Sequence, residues 1–111
     1  MNDARAQRLA ENEARFREIN ERMREGLRDV AGDDEQLPFV CECSSNECRD
    51  TVPLTPQEYE AVRADPRDFA LVPGHEVPEV EDVIAERDGR YAVVRKKPPT
   101  DAIVAARDPR A

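Results

Sequence analysis

The sequence predicts an α+β fold, with a long N-terminal helix followed by a small domain that combines a short helix with a small antiparallel sheet. Three features indicate this order. Residues 3–30 contain no proline and are rich in Ala, Arg and Glu, which favour helices. A helix start stands at residues 55–58. Near the C-terminus, Asp88-Gly89 separates two apolar segments, so the sheet is expected to end in a β-hairpin.

The N-terminal segment, residues 1–31, is expected to form one amphipathic helix. Its apolar residues approach the a/d spacing of about three heptads, and several acids precede an Arg by four positions, an order that stabilises helices. Such a stripe packs on its own domain, on a second copy in a coiled coil, or on a protein partner, and all three remain open. The stripe comprises Leu9, Phe16, Ile19, Met23, Leu27 and Val30, and the charged pairs are Glu11–Arg15, Glu13–Arg17 and Glu18–Arg22.

Residues 37–97 are expected to form the small α+β domain. Thr55 can cap a helix that begins at Pro56, with Glu58 completing a capping box. Pro98-Pro99 ends the domain, and residues 98–111 are expected to be a flexible tail in which Ile103-Val104 can pack locally. The predicted strands are 37–43, 49–54, 69–72, 80–87 and 90–96.

Charge and hydropathy exclude several classes of protein. The net charge is −8, and residues 31–80 hold twelve acidic residues against three Arg. Because nucleic-acid binding depends on neutralising phosphates, this acidic centre argues against a DNA or RNA reader. No stretch approaches the length of a membrane span, and the N-terminus has no apolar signal segment. We therefore expect a cytoplasmic protein with no membrane partner, in which cysteines stay reduced.

The segment from Cys41 to Cys48 carries the chemistry. In an extended chain residues i and i+2 share a face, so Cys41 and Cys43 can direct both sulfurs to one point while Glu42 faces away. Ser44-Ser45-Asn46 favours a turn that can return Cys48 to the same point. Three thiolates within eight residues predict a metal site.

A tetrahedral zinc site requires a fourth ligand. His75 is the single histidine of the chain and follows Pro73-Gly74, so it is expected in a turn that closes the site. Glu76 is expected to accept the free imidazole N–H, or to replace His75 as the ligand. Glu42 or water as the fourth ligand, and iron as the metal, also stay open. The prediction is one Zn²⁺ per chain, bound by Cys41, Cys43, Cys48 and His75.

Other interpretations of the cysteines are less favoured. Three is an odd number for a disulfide framework, and an iron–sulfur cluster usually takes four cysteines. A catalytic zinc needs an open position for water, which a closed Cys3His set lacks. The sequence therefore favours a non-enzymatic protein whose structural zinc stabilises a protein-interaction or regulatory module.

Two alternative functions remain open. Clustered thiolates can release zinc on oxidation, which is the chemistry of a zinc–thiol redox sensor. A nucleic-acid-associated factor is supported only by the basic ends of the chain, Arg5 to Arg28 and Arg90 to Lys97.

The residues around the cysteines also resemble small uncharacterised zinc-binding-type proteins of actinobacterial genomes. The resemblance covers roughly residues 10–97, and fifteen Arg against two Lys is in keeping with a high-GC genome. It implies a shared metal site and no activity. Its motifs are Phe39-Val40-Cys41-Glu42-Cys43 with Cys48, Leu54-Thr55-Pro56-Gln57-Glu58-Tyr59-Glu60, and Pro73-Gly74-His75-Glu76, a C-x-C-x4-C … P-G-H-E pattern.

Overall fold

The structure, a computed structural model, describes residues 3–30 and 32–110. It has the predicted α+β architecture, in which a long N-terminal helix precedes short strands and a short helix. One further helix follows the last strand. In chain order the elements are α1 (Asp3–Gly26), β1 (Leu37–Val40), β2 (Thr51–Leu54), α2 (Pro56–Arg63), β3 (Asp68–Leu71), β4 (Glu81–Arg87), β5 (Tyr91–Lys96) and α3 (Thr100–Ala106).

The strands form two small antiparallel sheets. β1 pairs with β2, and Phe39 lies opposite Val52. The second sheet has the order β3-β5-β4, so the predicted β4–β5 hairpin supplies two of its three strands. The hairpin turn places Asp88 and Gly89 at positive φ values of 54° and 70°, a conformation that glycine adopts freely and Asp tolerates.

Two of the three strands of the second sheet, β3 and β5, are packed against other elements on both of their faces. One face packs with β1, β2 and α2, where the rings of Phe39 and Tyr59 stack at a centroid distance of 4.5 Å. The opposite face packs with α1, α3 and the cysteines. The first face carries Ala70, Tyr91 and Val93, and the second carries Phe69, Leu71, Ala92 and Val94.

The short helix α2 begins with the predicted capping box. The Thr55 hydroxyl accepts the Glu58 N–H at 3.1 Å, and the Glu58 carboxylate accepts the Thr55 N–H at 2.9 Å. Two backbone donors of the first turn are thereby satisfied. The same carboxylate forms an ion pair with Arg90 at 2.7 Å, which joins the start of α2 to the β4–β5 hairpin.

The helix α1 is shorter than predicted and packs through a different face. It ends at Gly26, and residues 27–30 form a turn in which Val30 is 75% exposed. The apolar stripe lies at the edge of the contact: Met23 and Leu27 pack partly on the core, while Ile19 stays 43% exposed. Residues 1, 2 and 31 of the predicted helix lie outside the described residues. The buried face comprises Ala6, Ala10, Glu13, Ala14, Arg17 and Asn20.

Small and hydrogen-bonded side chains explain why this face is buried. Alanines permit close approach of α1 to α3 and the sheet, and the buried polar residues have partners. Arg17 donates to the carbonyl oxygens of Pro66 and Val104, both at 2.7 Å, and lies 4.6 Å from the Phe69 ring centroid. Glu13 forms a buried ion pair with Lys96, which also contacts Glu81 at 2.8 Å. None of the three predicted acid–Arg pairs within α1 forms.

The C-terminal segment 98–111 also differs from the predicted flexible tail. Thr100–Ala106 forms α3, which packs against α1 and fully buries Val104. Beyond it, Asp108 forms an ion pair with the buried Arg63. The segment has two large apolar residues, Ile103 and Val104, within about two helical turns, a pattern too short to predict a packed helix. Residue 111 lies outside the described residues.

Candidate metal centre

The loop between β1 and β2, residues 41–50 and here called the metal loop, brings the three cysteines together. The Cys41 N–H donates to the Asp50 carbonyl at 3.0 Å, which continues the β1–β2 pairing by one step. Within the loop, the Cys48 N–H donates to the Ser45 carbonyl at 3.2 Å and closes the predicted turn. Cys41 and Cys43 are buried and Cys48 is partly exposed. The loop therefore presents three sulfurs toward one point near the surface.

Glu42 faces away from the sulfurs, as strand alternation predicts, and is fully buried. One carboxylate oxygen accepts the Ala70 N–H at 3.0 Å, and the other accepts from Asn20 at 2.8 Å and Tyr59 at 2.9 Å. Burial raises the pKa of the Glu42 carboxyl, while these hydrogen bonds oppose that shift. The side chain thus anchors the metal loop to α1, α2 and β3.

His75 reaches the cysteines from the loop between β3 and β4. Gly74 has a φ of +97°, which favours glycine at this position, and the His75 N–H donates to the Val72 carbonyl at 3.0 Å. This turn places the imidazole Nδ1 3.5 Å from the Cys41 Sγ and 3.8 Å from the Cys48 Sγ. The structure therefore brings the single histidine to the cysteine cluster.

The four predicted residues lie close enough to bind one metal ion. The three Sγ atoms and a nitrogen of His75 all lie within 4.8 Å of one another. For tetrahedral zinc, bonds of about 2.3 Å to sulfur and about 2.0–2.1 Å to nitrogen require an S···N separation of about 3.6 Å. The two measured S···N distances bracket this value. Cys41, Cys43, Cys48 and His75 thus fit a metal ion both in donor chemistry and in spacing.

Hydrogen bonds and mutual proximity perturb the thiols. The closeness of Cys41 to Cys43 lowers the pKa of the Cys43 thiol to about 5 and raises that of the Cys41 thiol, because a protonated Cys41 stabilises a Cys43 thiolate. Burial raises the pKa of Cys48. The Val72 N–H donates to the Cys41 Sγ at 3.2 Å, an interaction that favours a thiolate. A cation bound by these sulfurs would displace the thiol protons.

The carboxylate beside the imidazole is Asp50, whereas the sequence predicted Glu76. The Oδ2 of Asp50 lies 3.7 Å from the His75 Nε2, and carboxylates commonly orient metal-binding imidazoles from this side. Glu76 instead accepts the Gly74 N–H at 3.0 Å, which directs it into its own turn. No sequence pattern indicates Asp50, because its position depends on how β1 pairs with β2 across the metal loop.

No helix in ranges 3–30 and 32–110 combines the length and the apolar character needed to cross a membrane. Comparisons of the chain with family models, with curated proteins and with solved structures find no match.

Proposed function

We propose that this chain is a small non-enzymatic zinc protein, in which one structural Zn²⁺ stabilises a protein-interaction or regulatory module. The convergence of three sulfurs and one imidazole nitrogen within 4.8 Å carries this proposal. Thiolate and imidazole together select zinc over the harder cations magnesium and calcium. The resemblance to actinobacterial zinc-binding-type proteins and residence in a reducing, cytoplasmic compartment are consistent with it.

A structural role is favoured over a catalytic one because the ligand set is closed. Four protein ligands complete a tetrahedron and leave no position for water or substrate. The ligands also come from two separate segments, the metal loop and the β3–β4 loop that carries His75. One ion would therefore crosslink two loops of a chain of 111 residues, a size at which a metal adds substantially to a small hydrophobic core.

The proposal is tested by zinc content and by the dependence of folding on zinc. Protein purified without chelators should contain one zinc per chain. Removal of the zinc should broaden or collapse the dispersed amide resonances in a ¹H–¹⁵N spectrum, and stoichiometric Zn²⁺ should restore them. His75→Ala should weaken zinc binding by at least about tenfold. Full dispersion in metal-free protein would reject the structural role, and zinc-dependent turnover of a substrate would reject the non-enzymatic class.

Glu76→Gln is the matched control for His75→Ala. It alters the next residue in the same turn, and its carboxylate contacts the Gly74 N–H rather than the sulfurs. Zinc affinity should stay within about twofold of wild type in this variant. A loss as large as that of His75→Ala would show that disturbing the turn, rather than removing a ligand, weakens the site.

A zinc–thiol redox sensor is a second candidate, favoured by the access of solvent to the cluster. A shallow cavity of about 390 Å³ opens beside Cys43, Cys48 and His75. Hydrogen peroxide could oxidise the Cys43 and Cys48 thiolates to a disulfide, with two electrons and two protons reducing the peroxide to two waters and the zinc released. Peroxide-driven release that a thiol reductant reverses would support this role, and retention of zinc in excess peroxide would reject it.

A further inference from the structure

A groove of about 290 Å³ lies between α1 and the metal loop. Its apolar surface comes from Phe16, Ile19 and Val40, and Ile19 is one of the few large exposed apolar side chains. Phe16 and Ile19, two residues of the apolar stripe of α1, therefore border this groove, whereas Met23 and Leu27 of the stripe pack partly on the core. The volume lies at the low end of small-molecule sites, about 300–1,000 Å³, and suits one or two side chains of a peptide.

The groove is bordered by positive charge although the chain as a whole is acidic. Arg15 and Arg49 line the groove. Arg8 and Arg22 lie seven residues before and after Arg15 on the exposed side of α1. Within the described part of the chain, none of the three helix arginines has a carboxylate at ion-pair distance. On the opposite wall, the Arg49 guanidinium donates to the carbonyl oxygens of Asn46 and Cys48, both at 3.0 Å, and no carboxylate in ranges 3–30 and 32–110 lies at ion-pair distance from it. Asp50 is the acidic residue in the lining.

We propose that this groove binds an acidic amphipathic segment of a partner protein. A bulky apolar side chain of the segment would enter between Phe16, Ile19 and Val40, and flanking carboxylates would contact the arginines. This is the helix-in-groove mode of recognition, in which apolar anchors give affinity and surrounding charges give orientation. The proposal rests on the zinc module above, because the metal loop forms one wall.

Two other occupants fit the groove less well. A second copy related by a two-fold axis would bring the same arginine row against itself, and like charges would oppose the contact. A nucleic acid would contact the arginines through its phosphates, but it would leave the apolar surface of Phe16, Ile19 and Val40 unfilled.

The groove and the metal site are physically connected. The Asn12 side chain donates to the Ser44 carbonyl at 2.8 Å, which fixes the metal loop against α1. Cys48 and Asp50 belong both to the groove lining and to the surroundings of the metal centre. An ion that orders the metal loop would therefore strengthen peptide binding, and peptide binding would strengthen zinc binding by the same factor.

The test measures fluorescence anisotropy of a labelled helical peptide of about twelve residues, with leucines at i and i+4 flanked by Glu and Asp. Zinc-loaded protein should bind this peptide with a Kd of about 1–100 µM. Ile19→Glu should weaken binding at least tenfold, because it places a carboxylate in the groove. Double replacement of Arg15 and Arg49 by Glu should also weaken binding and flatten its dependence on salt.

Ile84→Glu is the matched control for Ile19→Glu. Ile84 lies on the exposed hairpin strand β4 at 46% exposure, against 43% for Ile19, and receives the same substitution away from the groove. Its affinity for the peptide should equal that of wild type. An equal loss in both variants would overturn the assignment of the groove. Two further peptides, with Lys in place of the acids or Ser in place of the leucines, should bind at least tenfold more weakly.

Zinc content measured on the same samples separates the two proposals. Protein with one zinc per chain that does not bind the acidic peptide would overturn the groove and leave the zinc module intact. Equal peptide affinity with and without zinc would overturn the coupling. A dimer that Ile19→Glu dissociates would assign the groove to self-association and overturn the proposal, as would displacement of the peptide by a short oligonucleotide.

Discussion

Asn20 of α1 donates a hydrogen bond of 2.8 Å to the carboxylate of Glu42, the residue between two of the clustered cysteines. The same Asn20 side chain also pairs with the backbone of Val40, accepting its N–H at 2.8 Å and donating to its carbonyl at 2.9 Å. Asn20 and Glu42 are both fully buried. The N-terminal helix is therefore joined to the metal loop through a satisfied polar network in the interior.

Asn20→Ala should destabilise the fold by about 1–3 kcal/mol, because it leaves the Val40 backbone and the Glu42 carboxylate with unsatisfied groups. The free energy of unfolding, measured with urea on zinc-loaded protein, checks this. Asn46→Ala is the control, since Asn46 is exposed in the metal loop and the substitution should change stability by less than about 0.5 kcal/mol. Equal stability of the Asn20 variant and wild type would contradict the network.

Lys96 is fully buried between two buried carboxylates, Glu13 and Glu81. Lys96→Met should cost about 3–5 kcal/mol, because it removes the cation that Glu13 and Glu81 share and leaves these buried carboxyl groups without it. Lys97→Met is the matched control. Lys97 is the next residue, its side chain is 40% exposed, and its Nζ lies 3.6 Å from the exposed carboxylate of Asp82. The free energies of unfolding of the two variants, measured with urea, should differ by about 3 kcal/mol or more. Similar values would contradict the burial of Lys96 between the two carboxyl groups.

Glu13→Gln should be tolerated far better than Lys96→Met. Burial raises the pKa of the Glu13 carboxyl well above its ordinary value, although the nearby Lys96 opposes this shift, so the folded chain protonates Glu13 at a higher pH than the unfolded chain does, and Gln imitates the protonated acid. A raised pKa in the folded state stabilises the protein at low pH, and that stability is lost as pH rises. The stability of Glu13→Gln relative to wild type should therefore increase with pH, and a decrease with pH would show that Glu13 stays ionised.

The contribution of Glu58 to stability should depend on pH in the opposite sense to that of Glu13. Hydrogen bonds from Arg90 and from the Thr55 N–H lower the pKa of Glu58 to about 2, below the value of about 4.3 for an exposed Glu. Ionised Glu58 therefore stabilises the fold above about pH 4.3, and this contribution disappears as pH falls toward 2. The difference in unfolding free energy between wild type and Glu58→Gln should shrink over that range.

The matched comparison for Glu58→Gln is Glu86→Gln, on the exposed strand β4. Because any metal bound at the cysteine cluster would dissociate in acid from variant and wild type alike, the difference between variant and wild type at each pH isolates the effect of the carboxylate. Glu86→Gln should show a small difference that does not change with pH. A constant difference for Glu58→Gln would mean that its carboxylate gains nothing from Arg90.

Local patterns were enough to predict the short capped helix, the hairpin and the clustering of the cysteines. The Thr55–Glu58 capping box, the Asp88-Gly89 turn and the alternation of Cys41, Glu42 and Cys43 each depend on residues within a few positions of one another. The clustering of the cysteines followed from that alternation and a turn. His75 was predicted as the fourth member because the chain has no other histidine, and the structure places it beside the sulfurs.

Long-range pairings could not be predicted in this way. The contact face of α1 depends on Lys96, which lies 83 residues along the chain from its partner Glu13. It also depends on the backbone carbonyl oxygens that accept from Arg17, and a backbone acceptor cannot be recognised from the residue type. The apolar residues of α1 predicted a contact face that includes Phe16 and Ile19, which border the groove. The buried face instead consists of alanines and hydrogen-bonded polar side chains. Helix α3 and the approach of Asp50 to His75 likewise depend on packing between distant segments.

X-ray absorption at the zinc edge of the purified native protein tests the ligand set most directly. Coordination by Cys41, Cys43, Cys48 and His75 predicts three sulfur neighbours at about 2.3 Å and one nitrogen at about 2.0–2.1 Å, with the imidazole scattering lost in His75→Ala. Two or fewer sulfur neighbours, or an unchanged spectrum in His75→Ala, would contradict the closed Cys3His site.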